Sequence, residues 1–373
     1  MARRIRIVHV ISSLEMGGAQ AVLFDLVRVL PAAQYEQAVI YFHNGPYVER
    51  LQNLGVPVYH VRGSLCTYDP TFWWRMFCLL RKLNPDLIHA SLWSAGFVCR
   101  SIGRLIGIRV VTAVHALFAY HGRVRCMLDR MTVRRGDTFI AVSRDVARSI
   151  TLWLPNQPVQ VVHNGIDVDH MYRLQKECAD CAVPGLLPEH FVIGSVGRFV
   201  LVKRYDLLLK LFAQLAIRYA HVRLLLVGVG PLESALREQT LQLGIAEKVF
   251  FVVGQSAIPF YGQMDCFVQT SAYEGLSIAL LEAMASGLPC ITTGQDAQHV
   301  LVAHEVSGLV VHPDNTQQIV DSMESLVINP VLCKKLGLQA AALARQQYSI
   351  KAMRLEYETV FAGLIEPTYK DNF

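Results

Sequence analysis

Two short stretches of the chain carry residue types and spacings that can do chemistry. Residues 274–289 read EGLSIALLEAMASGLP. Glu274 and Gly275 follow an apolar run, Cys266–Thr270, and a small-residue turn at Ser271 and Ala272. From Ser277 to Ser286 the spacing predicts a helix. Its apolar face is Ile278, Leu281, Met284 and Ala285, and Gly287-Leu288-Pro289 ends it. A strand feeding a helix through such a turn aims the backbone amides around Gly275, Leu276, Ser277 and Ile278 at one spot. That spot carries the positive end of the helix dipole and suits a phosphate group. Glu282 lies about one and a half turns further on, outside that spot. Its carboxylate suits ribose hydroxyls, and Glu274, ahead of the helix, suits the hydroxyls of a sugar. The second stretch, residues 197–212, reads GRFVLVKRYDLLLKLF. A strand ends at Gly197, and Arg198, Lys203 and Arg204 precede an amphipathic helix. Fixed cations near strand ends offset the charge that grows on a departing diphosphate. Taken alone, the segment reads somewhat more readily as a solvated loop with ordinary basic residues.

A third, softer feature is Gly17-Gly18-Ala19-Gln20, after a strand ending near Ile11. Two glycines opening a helix let backbone approach a ligand closely. Neither this pair nor Gly228-Val229-Gly230 forms the dinucleotide pattern G-x-G-x-x-G.

The elements that must position these residues alternate. β-rich runs at Ile5–Ile11, Gln37–Tyr41, Leu87–Ala90, Val110–Val114 and Thr138–Val142 are separated by segments that suit helices. The alternation restarts at Phe191–Val196, Val222–Val227, Val249–Val253, Cys266–Thr270 and Pro289–Thr292. Such alternation predicts an α/β chain of two Rossmann-like domains with parallel sheets, ligands sitting at the carboxyl ends of strands. The expected division is 1–168 and 169–351, with a C-terminal helix about 352–373 returning to the first domain. Val168–His190, with Pro184, Gly185 and Pro188 and no clean period, is expected to be a connection. Ala340–Leu364 has helical composition.

Composition bounds the function classes. Of 373 residues, 53% are hydrophobic and 17% charged, enough for two cores and against disorder. The net charge of +5 is uneven: residues 1–170 carry 19 Lys+Arg against 11 Asp+Glu, a net of +8. Only the first half is therefore expected to meet an anionic surface. No nucleic-acid-binding motif accompanies the charge, so no nucleic-acid partner is expected. Two basic, apolar stretches, Phe72–Leu83 (FWWRMFCLLRKL) and Arg123–Arg135 (RVRCMLDRMTVRR), suit either helices packed on a sheet or helices lying on an anionic bilayer. The nine cysteines are odd in number. They sit mostly in apolar segments, as Cys66, Cys78, Cys99 and Cys290 do, and read as reduced core residues of a cytosolic protein. The apolar run of MARRIRIVHVISS is too short for a signal peptide. No run reaches the ~18–20 apolar residues of a spanning helix. The expected location is cytoplasmic, or peripheral at the inner face of the cytoplasmic membrane.

Together these motifs resemble the retaining GT-B glycosyltransferases of glycosyltransferase family 4 (glycosyl transferases group 1), over nearly the whole chain. Glu274 and Glu282 match the family's E-x7-E. GRFVLVKRYDLLL matches G-R-x-x-x-x-K-x-x-D-x-L-L, so Arg198 and Lys203 match its diphosphate-binding pair. VVHNGID matches its interdomain N-G-I-D, VGVGPLE its V-G-x-G-P, and GGAQAVLFDL its G-G-A-E start, with Gln20 in place of Glu. His115, after Val110–Val114, matches the histidine that contacts the donor sugar. The family often has Pro-Glu-Lys-Gly where this chain has Leu201-Val202-Lys203-Arg204, which keeps the cation and alters the turn. Leu276 stands where Phe is common.

The resemblance implies two Rossmann-like domains facing a cleft, and transfer of a sugar from a nucleotide diphosphate sugar with retained configuration. The departing phosphate would help deprotonate the acceptor, with no cofactor and no metal. It also implies a catalytic set of His115, Arg198, Lys203 and Glu274. Donor binding would add Gly17, Gly18, Gly275, Leu276, Ser277, Ile278 and Glu282. The acceptor is expected to be a glycan or lipid-linked intermediate at the membrane surface. Two alternatives stay open: a catalytically silent nucleotide-sugar-binding scaffold, and a nucleotide-sugar epimerase of the same fold. Asp167-Val168-Asp169 is expected to cap or link rather than hold metal. Cys178-Ala179-Asp180-Cys181 is a weak zinc pattern without a second pair. His89 suits a cleft or a structural role equally, and His9 and His60 are expected to be structural.

Overall fold

The computed structural model describes residues 3–63, 69–117, 122–134, 136–177, 182–293 and 301–365, without the side chain of Arg123. The chain divides into two compact units. One is Met1–Gly165 with Ile350–Phe373, the other Ile166–Ser349.

The first unit holds a seven-stranded sheet of β1 (Ile5–Ser13), β2 (Tyr35–His43), β3 (Val58–His60), β4 (Leu87–Ser91), β5 (Val110–Val114), β6 (Thr138–Ala141) and β7 (Val159–Val161). Its order is β3-β2-β1-β4-β5-β6-β7. The second unit holds a six-stranded sheet of β8 (Phe191–Val196), β9 (Val222–Gly228), β10 (Val249–Val253), β11 (Cys266–Gln269), β12 (Cys290–Thr293) and β13 (Gly308–Val311). Its order is β10-β9-β8-β11-β12-β13. Every strand pair runs parallel. Parallel strands covered on both faces need continuous apolar runs, and the central strands supply them: β4 and β5 are buried at every residue.

Three strands escaped the sequence reading: β3, β7 and β13. All are edge strands of three or four residues. Strands of three or four residues are too short to carry a periodic signal.

Val168–His190 is not wholly a connection. Val168–Glu177 is a helix. Asp167 starts it by accepting the His170 amide at 2.9 Å, so this aspartate caps. The expected helix across Ala340–Leu364 is in fact two, Pro330–Gln347 and Ile350–Ile365. The break carries the unit boundary. Tyr357 and Phe361 of the last helix are buried in the first unit against His89, at ring distances of 5.5 and 5.8 Å.

The helix Tyr205–Arg218 buries Leu208, Phe212 and Leu215 completely beneath the second sheet. Each such side chain contributes about 1.5–3 kcal/mol. Cys99 and Cys290 are core residues as expected, but Cys78 faces solvent, and Cys66 lies outside the described residues.

Candidate functional site

In the second unit β8 is flanked by β9 on one side and β11 on the other, so the chain order reverses between β8 and β11. In open parallel sheets, ligands sit outside the carboxyl ends of the strands at this reversal. The two chemistry-bearing stretches leave from there: Gly197–Arg204 follows β8, and Thr270–Ser277 follows β11.

Hydrogen bonds stitch the two loops together. Thr270 Oγ1 lies 3.1 Å from the carbonyls of both Lys203 and Arg204, and the Ala272 amide donates to Val202 O at 2.8 Å. Across this seam Lys203 Nζ donates to Glu274 Oε1, which also accepts from Ser271 Oγ at 2.9 Å. Both members of the ion pair are largely shielded, with side-chain exposures of 17% and 18%. The structure thus brings together the expected phosphate-binding lysine and the expected sugar-binding glutamate as partners of one another. Arg198 is exposed, and among the described residues no carboxylate pairs with it.

Gly197 explains why a glycine is needed here. Its φ is +152°, and a Cβ on it would stand 3.2 Å from Lys203 Cε and 3.0 Å from the Tyr205 hydroxyl. Gly228 answers it from β9, since a Cβ there would meet the Gly197 carbonyl at 2.0 Å. Gly230 packs as closely on the Phe199 backbone, so the glycines of the V-G-x-G-P segment serve close backbone approach to the loop after β8.

The helix after β11 spans Ile278–Ala285. Ser277 caps it, accepting the Leu280 amide, and donates its own hydroxyl to Gln269 Oε1 at 2.7 Å. The first backbone bond within the helix runs from Leu281 to the Ser277 carbonyl. The amides before it stand outside the ladder, at the positive end. Gly275, Leu276 and Ser277 are buried beside them. The inner face differs from the expected one: Leu280, Leu281, Ala283 and Met284 are buried, while Ile278 and Ala285 are only half-buried. The helix is enclosed by the sheet on one side and by Pro330–Gln347 on the other, where Gly337 lies against the Gly287 carbonyl. Glu282 projects from the middle of this helix, and its Oε2 accepts from the buried Tyr261 hydroxyl at 2.8 Å. Sequence reasoning missed Tyr261, Ser271 and Gln269. Gln269 is buried with its Nε2 unpartnered among the described residues. In sequence Ser271 reads only as part of the turn before Glu274, and Gln269 only as part of the apolar run, so their hydrogen bonds to Glu274 and Ser277 go unread, while Tyr261 lies 21 positions before its partner Glu282.

In the first unit Gly17 caps the helix Gly18–Val29. Gln20 is buried and turns back to donate to Ser13 O at 3.1 Å, so it fastens the loop to β1. His115 follows β5 and lines a cavity of about 70 Å³ with Leu92, Trp93, Thr112 and Phe139. Its Nε2 is buried without a hydrogen-bond partner among the described residues, and burial lowers the imidazole to about 4. At the cavity floor the buried Arg100 guanidinium pairs with Asp129, which also accepts from Trp93 Nε1 at 3.1 Å. Leu92 has φ +73°, a strained backbone at the β4 end of the cavity.

His89 has a structural role. It lies 3.0 Å from His9, Nδ1 to Nδ1. Gln37 fixes the tautomers: its Nε2 donates to Val27 O, so its Oε1 accepts from His9 Nε2. His9 Nδ1 is then an acceptor, and His89 Nδ1 must donate. His60 is structural too, stacked on Tyr41 at 4.8 Å and bonded to Phe42 O. Cys178–Cys181 lie outside the described residues.

Two family models match the chain. "Glycosyl transferases group 1" covers residues 182–342, and "Glycosyltransferase Family 4" covers 16–170. The chain belongs to the family 4, group 1 glycosyltransferases. EpsF of Bacillus subtilis (strain 168), a protein named only as a glycosyltransferase, is 28% identical over 79% of this chain and 80% of its own length. An Escherichia coli UDP-Gal:alpha-D-GlcNAc-diphosphoundecaprenol alpha-1,3-galactosyltransferase is 23% identical over 88% of this chain and 89% of its own. The solved structure of Anabaena HepE in complex with UDP and glucose superposes with a TM-score of 0.81 at 20% identity, covering 96% of this chain and 100% of that one. That likeness establishes the GT-B fold.

In this glycosyltransferase Arg204 stands where the family's Pro-Glu-Lys-Gly run ends on glycine, and its backbone is left-handed, φ +51° and ψ +41°. A side chain there costs about 1–2 kcal/mol. Arg204→Gly is expected to raise stability by about 1 kcal/mol, read as a higher urea midpoint at unchanged m-value.

The buried histidines give a pH dependence. His9 and His115 are both held near 4 by burial, against 6.5 when unfolded. Between those values the unfolded chain binds protons that the native one refuses. Stability is therefore full above pH 6.5 and falls as pH drops toward 4, by up to about 3 kcal/mol per histidine. Urea titrations at pH 7.5, 5.5 and 4.5 should show a stepwise fall, with the first unit's signal leading.

Proposed function

We propose that this glycosyltransferase moves a hexose, with retained anomeric configuration, from a nucleoside diphosphate sugar to a lipid-linked glycan or polysaccharide intermediate on an anionic membrane surface. The observation that carries the reading is the Lys203–Glu274 pair at the β8–β11 reversal, beside the amides that open the helix Ile278–Ala285. An incoming diphosphate competes for Lys203 and releases Glu274 to accept sugar hydroxyls, so one ligand satisfies both members. Arg198 adds a second cation, and Glu282 takes the ribose. The bond from C1 to the phosphate oxygen breaks as the bond from the acceptor oxygen to C1 forms on the same face. The acceptor proton passes to the departing phosphate, whose growing charge Lys203 and Arg198 offset. No metal or cofactor takes part.

The membrane part of the reading rests on a surface and on the lipid carrier in the name of the Escherichia coli relative. No single helix among the described residues is long and apolar enough to cross a membrane. Phe72–Leu83 falls within a helix that buries Phe72, Met76 and Leu80 against the sheet and leaves only Trp74 strongly exposed among its large apolar residues. The helix Gly122–Thr132 differs. Val124, Met127 and Met131 are 67%, 56% and 66% exposed, and its one acid, Asp129, is buried against Arg100. Exposed apolar residues flanked by Arg125 and Arg130, with no exposed acid, suit an anionic interface.

Lys203→Ala is expected to lower kcat/KM for sugar transfer by about 100-fold. Unchanged donor KM and kcat would refute the diphosphate assignment. Met127→Asp with Met131→Asp should abolish co-sedimentation with phosphatidylglycerol vesicles at low salt while leaving donor binding intact. Wild-type protein that stays in the supernatant would sink the membrane part.

A further inference from the structure

We propose that Tyr261 is a positioning residue for nucleotide recognition: its hydroxyl holds the Glu282 carboxylate in the orientation that accepts ribose hydroxyls. The inference rests on the reading of Glu282 given above. Tyr261 ends the short helix Ile258–Tyr261 and is fully buried. Its hydroxyl lies 2.8 Å from Glu282 Oε2 and 3.1 Å from Ala279 O. The phenol has one proton for two acceptors, and the nearer, charged one takes it. Burial first, and then the Glu282 charge, push the phenol well above its ordinary range, so it remains a donor wherever the enzyme works.

The Tyr261 ring and the Glu282 backbone are both anchored. The Tyr261 ring packs against Phe267 of β11 at 6.1 Å. The Glu282 carbonyl accepts from Ser286 Oγ at 2.8 Å, and that hydroxyl accepts from Gln175 Nε2 at 2.9 Å. A tyrosine needed only to fill this core would do no better than phenylalanine, because a buried hydroxyl is costly unless paired. Here its partner is the one carboxylate of the helix Ile278–Ala285. Orientation is what a ribose demands, since neighbouring hydroxyls offer their protons in fixed directions and a rotating carboxylate meets them only part of the time.

The test is a ratio. Dissociation constants are measured for UDP, GDP, ADP and CDP, and the best binder is compared with its 2′-deoxy and 3′-deoxy forms. Wild-type protein should prefer the ribose form, and Glu282→Gln should lose that preference. Tyr261→Phe, which keeps the ring and its packing, should shrink the preference about tenfold while leaving the phosphate contribution, read with inorganic pyrophosphate as competitor, unchanged. The Tyr261→Phe/Glu282→Gln double variant should show the same ratio as Glu282→Gln alone. If Glu282→Gln loses the preference and Tyr261→Phe keeps it, the positioning role is refuted while the site reading stands. If Glu282→Gln itself keeps it, the reading of Glu282 fails. A merely structural tyrosine would weaken all ligands in proportion and leave the ratio untouched.

Discussion

The second unit is organised around one opposed pair of charges, Lys203 on the loop after β8 and Glu274 on the loop after β11. The pair exists because these strands are neighbours in space although β9 and β10 intervene in the chain. Holding two partly buried charges together restricts both loops. Neither residue can be deleted alone without leaving the other uncompensated. Ser271, Thr270 and the Ala272 amide extend the restraint through both backbones. The two loops are therefore fixed to one another by their own side chains and backbones, with the cation already aimed.

That restraint dictates residues with no chemistry of their own. Gly197 must lack a side chain because Lys203 and Tyr205 occupy the space a Cβ would take, and Gly228 must lack one because Gly197's carbonyl passes beneath it. Arg204 breaks the pattern. A left-handed turn that glycine adopts freely is here imposed on an arginine, whose carbonyl is still gripped by Thr270. The turn is thus determined by the seam and not by the residue that sits in it.

Sequence and structure agree where the signal is local. The central strands and the Gly287 stop follow from apolar runs and turn chemistry within a dozen residues. The helix Val168–Glu177 was missed because it opens a segment whose later Pro184, Gly185 and Pro188 read as a connection, although the aspartate that starts it was already expected to cap or link. The supports of the site were missed for a different reason. Tyr261 and Glu282 are separated by 21 positions on the two helices that flank β11, and Lys203 and Glu274 by 71 on loops that only the order of parallel strands makes neighbours. Motif spacing therefore revealed which groups hold charge, while the contacts that orient those groups required the fold.

The basic excess of the first half also divides once its partners are known. Arg100 is buried against Asp129, Arg28 pairs with Asp25 at 2.9 Å, and Arg134 joins Asp137 and the Ile108 carbonyl. Arg109 clamps the Leu364 carbonyl at 2.6 Å and so fastens the C-terminal helix to the sheet. Several of the basic residues are thus structural, binding strands and helices within the unit, but each ion pair also consumes an acid and leaves the +8 excess as it was. What separates the helix Gly122–Thr132 from the rest is local: Arg125 and Arg130 lie over the rings of Trp93 and Trp153, at 4.8 and 5.6 Å, while the only acid of the helix is spent inward on Arg100. Burying Asp129 does two things at once. It neutralises the cavity floor beside His115, and it strips the outer face of the helix of negative charge.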